Sequence, residues 1–168
     1  SGGAIPAGYS LKLTSPDGEI YYTLDGSDPR RPGEVTETGK TILAGSAEKW
    51  ALVPSSDNGG DRLGNRWRGG GEPFDHDDWD SGNDGVGYDQ NADYDSHIGI
   101  DVDAEMNDVN QSVFVRIPFR VSAADRKKSN FMVLHMKYDD GFVAYLNGTR
   151  IASANAASNP AWNAGATG

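Results

Sequence analysis

Apolar and polar residues alternate in several short stretches of the chain, as they do in β-strands with one buried face. The clearest alternation covers residues 112–121, where every second side chain is apolar: Val113, Val115, Ile117, Phe119 and Val121. Pro118 lies within this stretch and favours an edge strand or a bulge, because proline has no backbone N–H to donate. A second predicted strand, residues 131–138, is apolar on both faces and would lie opposite the first through Met132, Leu134 and Met136.

A hairpin is predicted near the carboxyl end. Residues 142–146 and 149–152 are apolar-rich and flank Asn147-Gly148. Asn-Gly is the dipeptide most typical of a two-residue hairpin turn, because both central residues must adopt positive φ. Residues 122–128 form the only stretch that predicts a helix, and this helix is short.

The amino-terminal part of the chain predicts a separate unit. Residues 9–15 alternate as a strand, and residues 19–24 form the return strand of a hairpin. Residues 30–39 contain little apolar content and indicate a connector. We therefore divide the chain into residues 1–40, a short hairpin with its connector, and residues 41–168, the main domain.

The long stretch at residues 55–95 is rich in Asp and Gly and has no helical period. Its aromatic residues recur every few positions, so we expect it to become ordered by burying them against a sheet while Asp and Gly shape the turns. These aromatic residues are Trp67, Phe74, Trp79, Tyr88 and Tyr94.

The predicted elements indicate an all-β protein. The main domain is expected to be an antiparallel two-sheet sandwich of the jelly-roll kind, preceded by the short β-hairpin segment. Residues 153–168 provide no convincing closing strand. We therefore expect the sandwich to lack its closing strands, or to receive one from another chain.

The excess of acidic over basic residues limits the classes of molecule that the chain can bind. There are 25 acidic and 15 basic residues, for a net charge of −10, and 19 of the acidic residues are Asp. This excess argues against a nucleic-acid partner. It favours Ca²⁺ sites in loops or a surface adapted to salt water, although an ordinary solvated surface accounts for most of the Asp residues. Cysteine is absent, and no apolar run approaches the roughly 18 residues that membrane insertion requires.

Residues 20–29, with the sequence IYYTLDGSDP, resemble a known repeat. It is found at the carboxyl end of chitobiases and in the fibronectin-type-III-associated modules of large bacterial surface proteins. The resemblance implies a spacer or accessory β-segment outside the cell. It also implies a structural role for Asp25 and Asp28.

Five ordered motifs in the main domain carry a second resemblance. They resemble a galactose-binding-like jelly-roll module of large secreted bacterial surface proteins. The resemblance implies an extracellular or cell-surface location, and sugar binding as a property of similar modules. The motifs are Trp67-Arg-Gly-Gly-Gly, Phe74-Asp-His-Asp-Asp-Trp, Gly85-Val-Gly-Tyr, Val115-Arg-Ile-Pro-Phe and Tyr138-Asp-Asp-Gly-Phe-Val-Ala-Tyr-Leu-Asn-Gly.

Two sets of oxygen-bearing residues are candidate calcium sites. Asp139 and Asp140 follow a predicted strand, and Asn147 lies at the next turn. Adjacent carboxylates repel each other unless a cation or N–H donors lie between them, and Ca²⁺ prefers such oxygen ligands. The alternative is that both Asp residues cap backbone N–H groups of a turn.

The second set alternates along one loop and consists of Asp89, Asn91, Asp93 and Asp95. Its spacing matches the first half of an EF-hand loop. Tyr94 stands where that loop needs glycine, and Ile100 where it needs glutamate, so an EF-hand is excluded. A looser calcium loop that ends at Asp101 or Asp103 and a plain solvated loop remain as alternatives.

The sequence contains no nucleophile motif, phosphate-binding loop or dinucleotide fingerprint, so we expect no enzyme activity. One hypothesis is a calcium-stabilised extracellular carbohydrate-binding or adhesion module. The other is a structural subunit of a bacterial surface layer, stalk or filament, packing against neighbouring copies of itself through strand donation. Aromatic rings in loops could provide glycan platforms, and the candidates are Trp79, Tyr88, Tyr94 and Trp162.

Overall fold

The computed structural model describes residues 40–128 and 132–167. The chain divides into two compact units, Ser1–Lys40 and Thr41–Gly168, and the second is described below. The hairpin and connector predicted in the first 39 residues lie outside the described residues.

Short strands joined by long loops dominate the described residues, and the helices among them are short. The β-rich character predicted from the sequence is therefore confirmed. The strands are β1 (Lys49–Leu52), β2 (Asp80–Gly82), β3 (Gly85–Gly87), β4 (Ile98–Asp101), β5 (Phe114–Arg116), β6 (Phe142–Leu146) and β7 (Thr149–Ala154). The helices are α1 (Asp103–Met106) and α2 (Ala123–Lys128), with 3₁₀ turns at Gly60–Arg62, Arg66–Arg68 and Asp95–His97.

These strands form three small sheets. The central sheet is antiparallel with the order β2-β1-β5, and β6 and β7 form an antiparallel hairpin. Strands β3 and β4 pair in parallel, with a register shift after Gly85. Within residues 40–128 and 132–167 the sheets do not form the predicted two-sheet sandwich or jelly roll.

Both faces of the central sheet are buried. On one face Ala51 and Val53 pack with Ile100 and Val102. On the opposite face Leu52 packs with two aromatic rings, those of Trp79 and Phe114. Because successive residues of a strand point to opposite faces, the apolar run at 50–53 supplies both clusters at once. The apolar run of β1 therefore connects the two core clusters.

The prediction for residues 112–121 was partly wrong. The strand is only three residues long, and its buried residues are Phe114 and Arg116. Val115 and Ile117 are half-buried, and the predicted core residue Phe119 is exposed. Alternation could not select the buried face because the central sheet is covered on both sides. The predicted edge position is confirmed, since β5 is an outer strand of its sheet and ends before Pro118.

The strand predicted at residues 131–138 is not formed. Residues 132–138 have no regular secondary structure. Their apolar side chains, Met132, Val133, Leu134, Met136 and Tyr138, are between 43% and 54% exposed. In the described part of the chain no backbone hydrogen bond joins this segment to another element. The contact expected between Met132, Leu134 and Met136 and the strand at β5 was therefore wrong.

Two local predictions are confirmed. Residues 147 and 148 join β6 to β7 with φ values of 49° and 82°, as a type I′ turn requires, and β7 extends two residues beyond the predicted end. The predicted helix is α2. Its N-terminus is capped by Ser122, whose Oγ accepts the N–H of Asp125 at 3.1 Å and donates to the Asp125 carboxylate at 2.6 Å.

The tip of the β6–β7 hairpin rests on the glycine-rich segment at residues 69–71. The N–H of Gly148 donates to the carbonyl of Arg68 at 3.0 Å. A Cβ atom at Gly70 would lie 2.6 Å from the carbonyl oxygen of Asn147, and one at Gly148 would lie 2.9 Å from that of Gly69. Two backbones approach so closely here that glycine is required on both sides of the contact.

Substitution of Gly70 by alanine should separate the hairpin from this segment. Gly70 has a φ of 87°, so Ala is strained there as well as in contact with Asn147. We expect Gly70→Ala to lower the free energy of unfolding by about 2 kcal/mol, measured by urea denaturation. Gly71→Ala is the matched control, because a Cβ there would meet nothing within 4 Å. Equal stability of the two variants would contradict the docking contact.

Candidate functional site

An open acidic cleft lies beside the parallel strand pair. It has a volume of about 220 Å³ and is lined by Asp89, Asp95, Ile98, Asp101 and Asp103. The 3₁₀ turn before β4, the two ends of β4 and the start of α1 supply the last four of these residues. The chain thus brings together carboxylates that are as many as 14 residues apart in sequence.

The carboxylate of Asp89 is occupied by backbone donors. Its Oδ1 accepts the N–H of Asn91 at 3.0 Å, and its Oδ2 accepts the N–H of Tyr94 at 2.6 Å. The N–H groups of Asn91, Tyr94 and Asp93 hold the pKa of Asp89 below its usual value, because they stabilise the charged form. Asp89 therefore shapes the turn that leads to the cleft.

The predicted calcium ligands of this loop are only partly brought together. Asp89 and Asp95 line the cleft, whereas Asn91 and Asp93 are exposed and do not. Asp101 and Asp103, the positions at which a looser loop was predicted to end, complete the lining. Over the described residues, no three His, Asp or Glu side chains are arranged as a metal site requires. As arranged, the residues of the cleft do not fit a bound calcium ion.

The other predicted calcium set is separated by the hairpin. Asp139 accepts the N–H of Asp140 at 3.0 Å, and the carbonyl of Asp140 accepts a hydrogen bond from the Asn155 side chain at 2.7 Å. Asn147 lies at the other end of β6, roughly 20 Å away at the rise of an extended strand. Asn147 therefore cannot share an ion with Asp139 or Asp140, and this grouping was wrong. Asp139 caps a turn instead, which was the alternative interpretation.

The four predicted glycan platforms fall into two groups. Trp79 is only 9% exposed and packs in the core, with its ring 5.7 Å from that of Phe74 in an edge-on contact. This burial leaves no ring face for a sugar, so Trp79 belongs to the hydrophobic core. Tyr94 is 65% exposed, and Tyr88 and Trp162 are each 37% exposed. The backbone N–H of Tyr94 also donates to the carboxylate of Asp89, which lines the acidic cleft.

Residues of three of the five sequence motifs meet at Trp67, whose carbonyl accepts a hydrogen bond from Arg116. The ring of Trp67 stacks on Phe114 at 4.1 Å and contacts Tyr145 edge-on at 6.1 Å. The guanidinium of Arg68 lies 4.4 Å from the centre of the Tyr145 ring. The residues that these motifs contribute here therefore stabilise the domain interior.

Arg116 is a buried cation that the sequence placed on the solvent side of its strand. One guanidinium nitrogen donates to the carbonyl of Trp67, and the other is 2.6 Å from the carboxylate of Glu72. The guanidinium also lies 4.3 Å from the centre of the Phe74 ring. A planar, permanently charged group suits such a site because it can bond at its edge while its face covers an aromatic ring.

Charge is segregated along the chain, a feature that the overall net charge conceals. Residues 72–108, here called the acidic belt, contain 13 Asp or Glu residues and no Lys or Arg. Five basic residues and one acidic residue lie between positions 120 and 138. Of these, Arg120, Arg126, Lys127, Lys128 and Lys137 are exposed. A count of charges over successive segments would have revealed this separation from sequence.

The pH dependence of stability should reveal the role of Asp89. Its folded-state pKa is lowered, so its contribution to stability is present above the pKa of about 3.9 in the unfolded chain. That contribution is lost as the pH falls through the lower folded-state value. We expect a carboxyl-detected NMR titration to give Asp89 a midpoint below the unfolded value. The stability gap between the wild type and Asp89→Asn should narrow with acidification. A midpoint at or above the unfolded value would contradict the assigned hydrogen bonds.

Comparison with known proteins identifies part of the first unit. Residues 11–43 match the family described as Fn3 associated, which confirms the fibronectin-III-associated resemblance around residues 20–29. The match covers roughly a fifth of the 168 residues. No curated protein and no solved structure shows significant similarity to the chain. The galactose-binding-like jelly-roll module is not identified by these comparisons, so that resemblance stays a prediction.

Proposed function

We propose that the chain is a non-catalytic structural and adhesion module of a bacterial cell surface, which assembles with neighbouring copies through strand addition. The observation that carries the proposal is the exposed apolar segment at residues 132–138, which pairs with no strand of the described part of the chain. The Fn3-associated match and the absence of cysteine are compatible with a secreted modular protein.

Residues 132–138 have the composition of a β-strand. Their apolar side chains are as exposed as those of a surface that a partner covers. Val and Tyr side chains favour an extended, half-buried conformation. Five apolar side chains of this segment are about half exposed to water, and exposed apolar residues in such number favour an interaction site. Within the described residues no backbone hydrogen bond engages positions 132–138, so their N–H and C=O groups can pair with a strand from another molecule.

Strand addition would also account for the predicted sandwich. The central sheet has β5 as an outer strand, and the β6–β7 pair forms a separate two-stranded sheet. An isolated two-stranded sheet is only marginally stable in water, so additional strands would stabilise it. We propose that a jelly-roll-like two-sheet arrangement is completed on assembly, with residues 132–138 as one of the added strands.

Substitution of Leu134 by aspartate tests the proposal. We expect the amides of residues 132–138 to become protected from hydrogen exchange as protein concentration rises and copies associate. Leu134→Asp should weaken association by about tenfold or more, because it places a charge in the new interface. The association constant is measured by sedimentation velocity, and the protection by mass spectrometry.

Val109→Asp is the matched control. Val109 is an exposed apolar residue, as Leu134 is, but it lies in the turn after α1, outside the segment and outside the strands of the described residues. It should leave association unchanged. If the amides of residues 132–138 stay unprotected at every concentration, or if the two variants behave alike, strand addition is wrong.

We propose calcium-stabilised glycan binding as a second candidate function. It is supported by Tyr94, whose side chain is exposed and whose backbone N–H donates to Asp89 of the acidic cleft. A flat ring beside polar oxygens is a common sugar platform. Because the cleft does not fit a bound calcium ion as arranged, this candidate requires its carboxylates to rearrange around the ion.

Added calcium discriminates this candidate from assembly alone. Ca²⁺ that binds the folded chain should raise the melting temperature in the concentration range of its dissociation constant, and EDTA should reverse the rise. Asp101→Asn should reduce the rise, and Tyr94→Ala should abolish signals on a glycan array without lowering the melting temperature. Calorimetry that detects no heat of Ca²⁺ binding at millimolar concentration, together with an empty glycan array, would eliminate this candidate.

A further inference from the structure

Basic residues close in sequence to the apolar segment can orient one copy relative to the next in the proposed assembly. Helix α2 ends in Arg126, Lys127 and Lys128, and Lys137 lies within the apolar segment. We call residues 120–128 and 132–138 together the basic segment. Its exposed cations are close in sequence to the exposed apolar side chains, and Lys137 lies among them, so a partner that covers the apolar residues also meets positive charge.

The basic residues at the end of α2 are not neutralised by the described part of their own chain. Arg126, Lys127 and Lys128 are exposed, and none of them forms an ion pair with a described residue. In the acidic belt, Glu72 forms a salt bridge with the described cation Arg116, and Asp84 interacts electrostatically with Lys49. The remaining carboxylates repel one another, and this repulsion is relieved when a cationic surface approaches.

We infer that the basic segment of one copy docks on the acidic belt of a second copy; this inference rests on the proposed function. The partner is identified by charge complementarity, because residues 72–108 carry exposed carboxylates, opposite in sign to the basic segment. Outside residues 120–138 the chain has 24 acidic and 10 basic residues, which disfavours a polyanionic partner such as nucleic acid.

Two different surfaces meet in this contact, so the assembly is head-to-tail. Each copy uses its basic segment toward one neighbour and its acidic belt toward another, which generates a ring or an open filament. The apolar residues 132–138 become buried at the same contact, and the charges select its orientation. Because the charged groups are exposed, the association should weaken as salt shortens the screening length, which is about 8 Å at physiological ionic strength.

A charge exchange between two variants tests the inference. The first variant carries Arg126→Glu, Lys127→Glu and Lys128→Glu. The second carries Asp93→Lys, Asp95→Lys and Glu105→Lys, three exposed positions of the acidic belt. In sedimentation velocity we expect each variant alone to associate at least about tenfold more weakly than the wild type. An equimolar mixture should recover association, because each repulsive surface then meets its complement.

The charge exchange is accompanied by a control variant, a milder variant and a test of membrane binding. Arg66→Glu reverses an exposed charge outside both surfaces and should leave association unchanged. Should the triple variant of α2 fail to fold, Lys127→Gln with Lys128→Gln should still weaken association and reduce its dependence on salt. Anionic phosphatidylserine vesicles are tested beside the protein, since a basic apolar segment could instead bind a membrane surface.

The outcomes separate the inference from the proposed function. If residues 132–138 become protected on association but salt and the charge variants have no effect, strand addition stands and the charge-directed contact is wrong. If the mixture of variants does not recover association, the acidic belt is not the acceptor. If the wild type binds vesicles and remains monomeric, a membrane is the partner of the basic segment and the inference is overturned.

Discussion

The contacts of Trp67 connect elements that hydrogen bonding leaves separate. The central sheet and the β6–β7 hairpin belong to different sheets, and a two-stranded hairpin has little stability by itself. Trp67 stacks on Phe114 of the central sheet and meets Tyr145 of the hairpin, while its carbonyl is bonded by Arg116. The adjacent glycines then accept the hairpin tip, backbone against backbone. One short segment therefore determines where the hairpin lies.

This arrangement concentrates stability in one part of the domain and leaves another part exposed. The aromatic residues near β1 and β5 pack in the core, so they cannot serve as an exposed binding platform. The apolar side chains of residues 132–138, by contrast, are only about half buried. A segment of this kind lowers its free energy when a partner covers it. We propose that assembly covers this segment and that the acidic belt and the basic segment orient the contact.

The acidic cleft shows why alternating Asp and Asn residues in a sequence do not by themselves predict a calcium site. Asp89, Asn91, Asp93 and Asp95 alternate as calcium ligands do, yet the carboxylate of Asp89 is bonded by the backbone of its own turn. Such turns use Asp for the same reason that calcium sites do, namely its short chain and its two oxygen acceptors. The residues that share the cleft with Asp89 include Asp101 and Asp103, and only the return of the chain through β4 brings them there.

The sequence by itself determined the features that depend on neighbouring residues. The Asn147-Gly148 turn, the helix capped by Ser122 and the apolar run of β1 all follow from local conformational preferences and from side-chain period. Only the tertiary structure decided which residues of β5 are buried, because loops distant in sequence cover both faces of the central sheet. It likewise decided that Arg116 is an interior cation and that residues 132–138 pair with no strand in the described part of the chain. Burial and strand pairing depend on which distant residues pack against a segment. The alternation of apolar and polar residues within the segment does not reveal those residues.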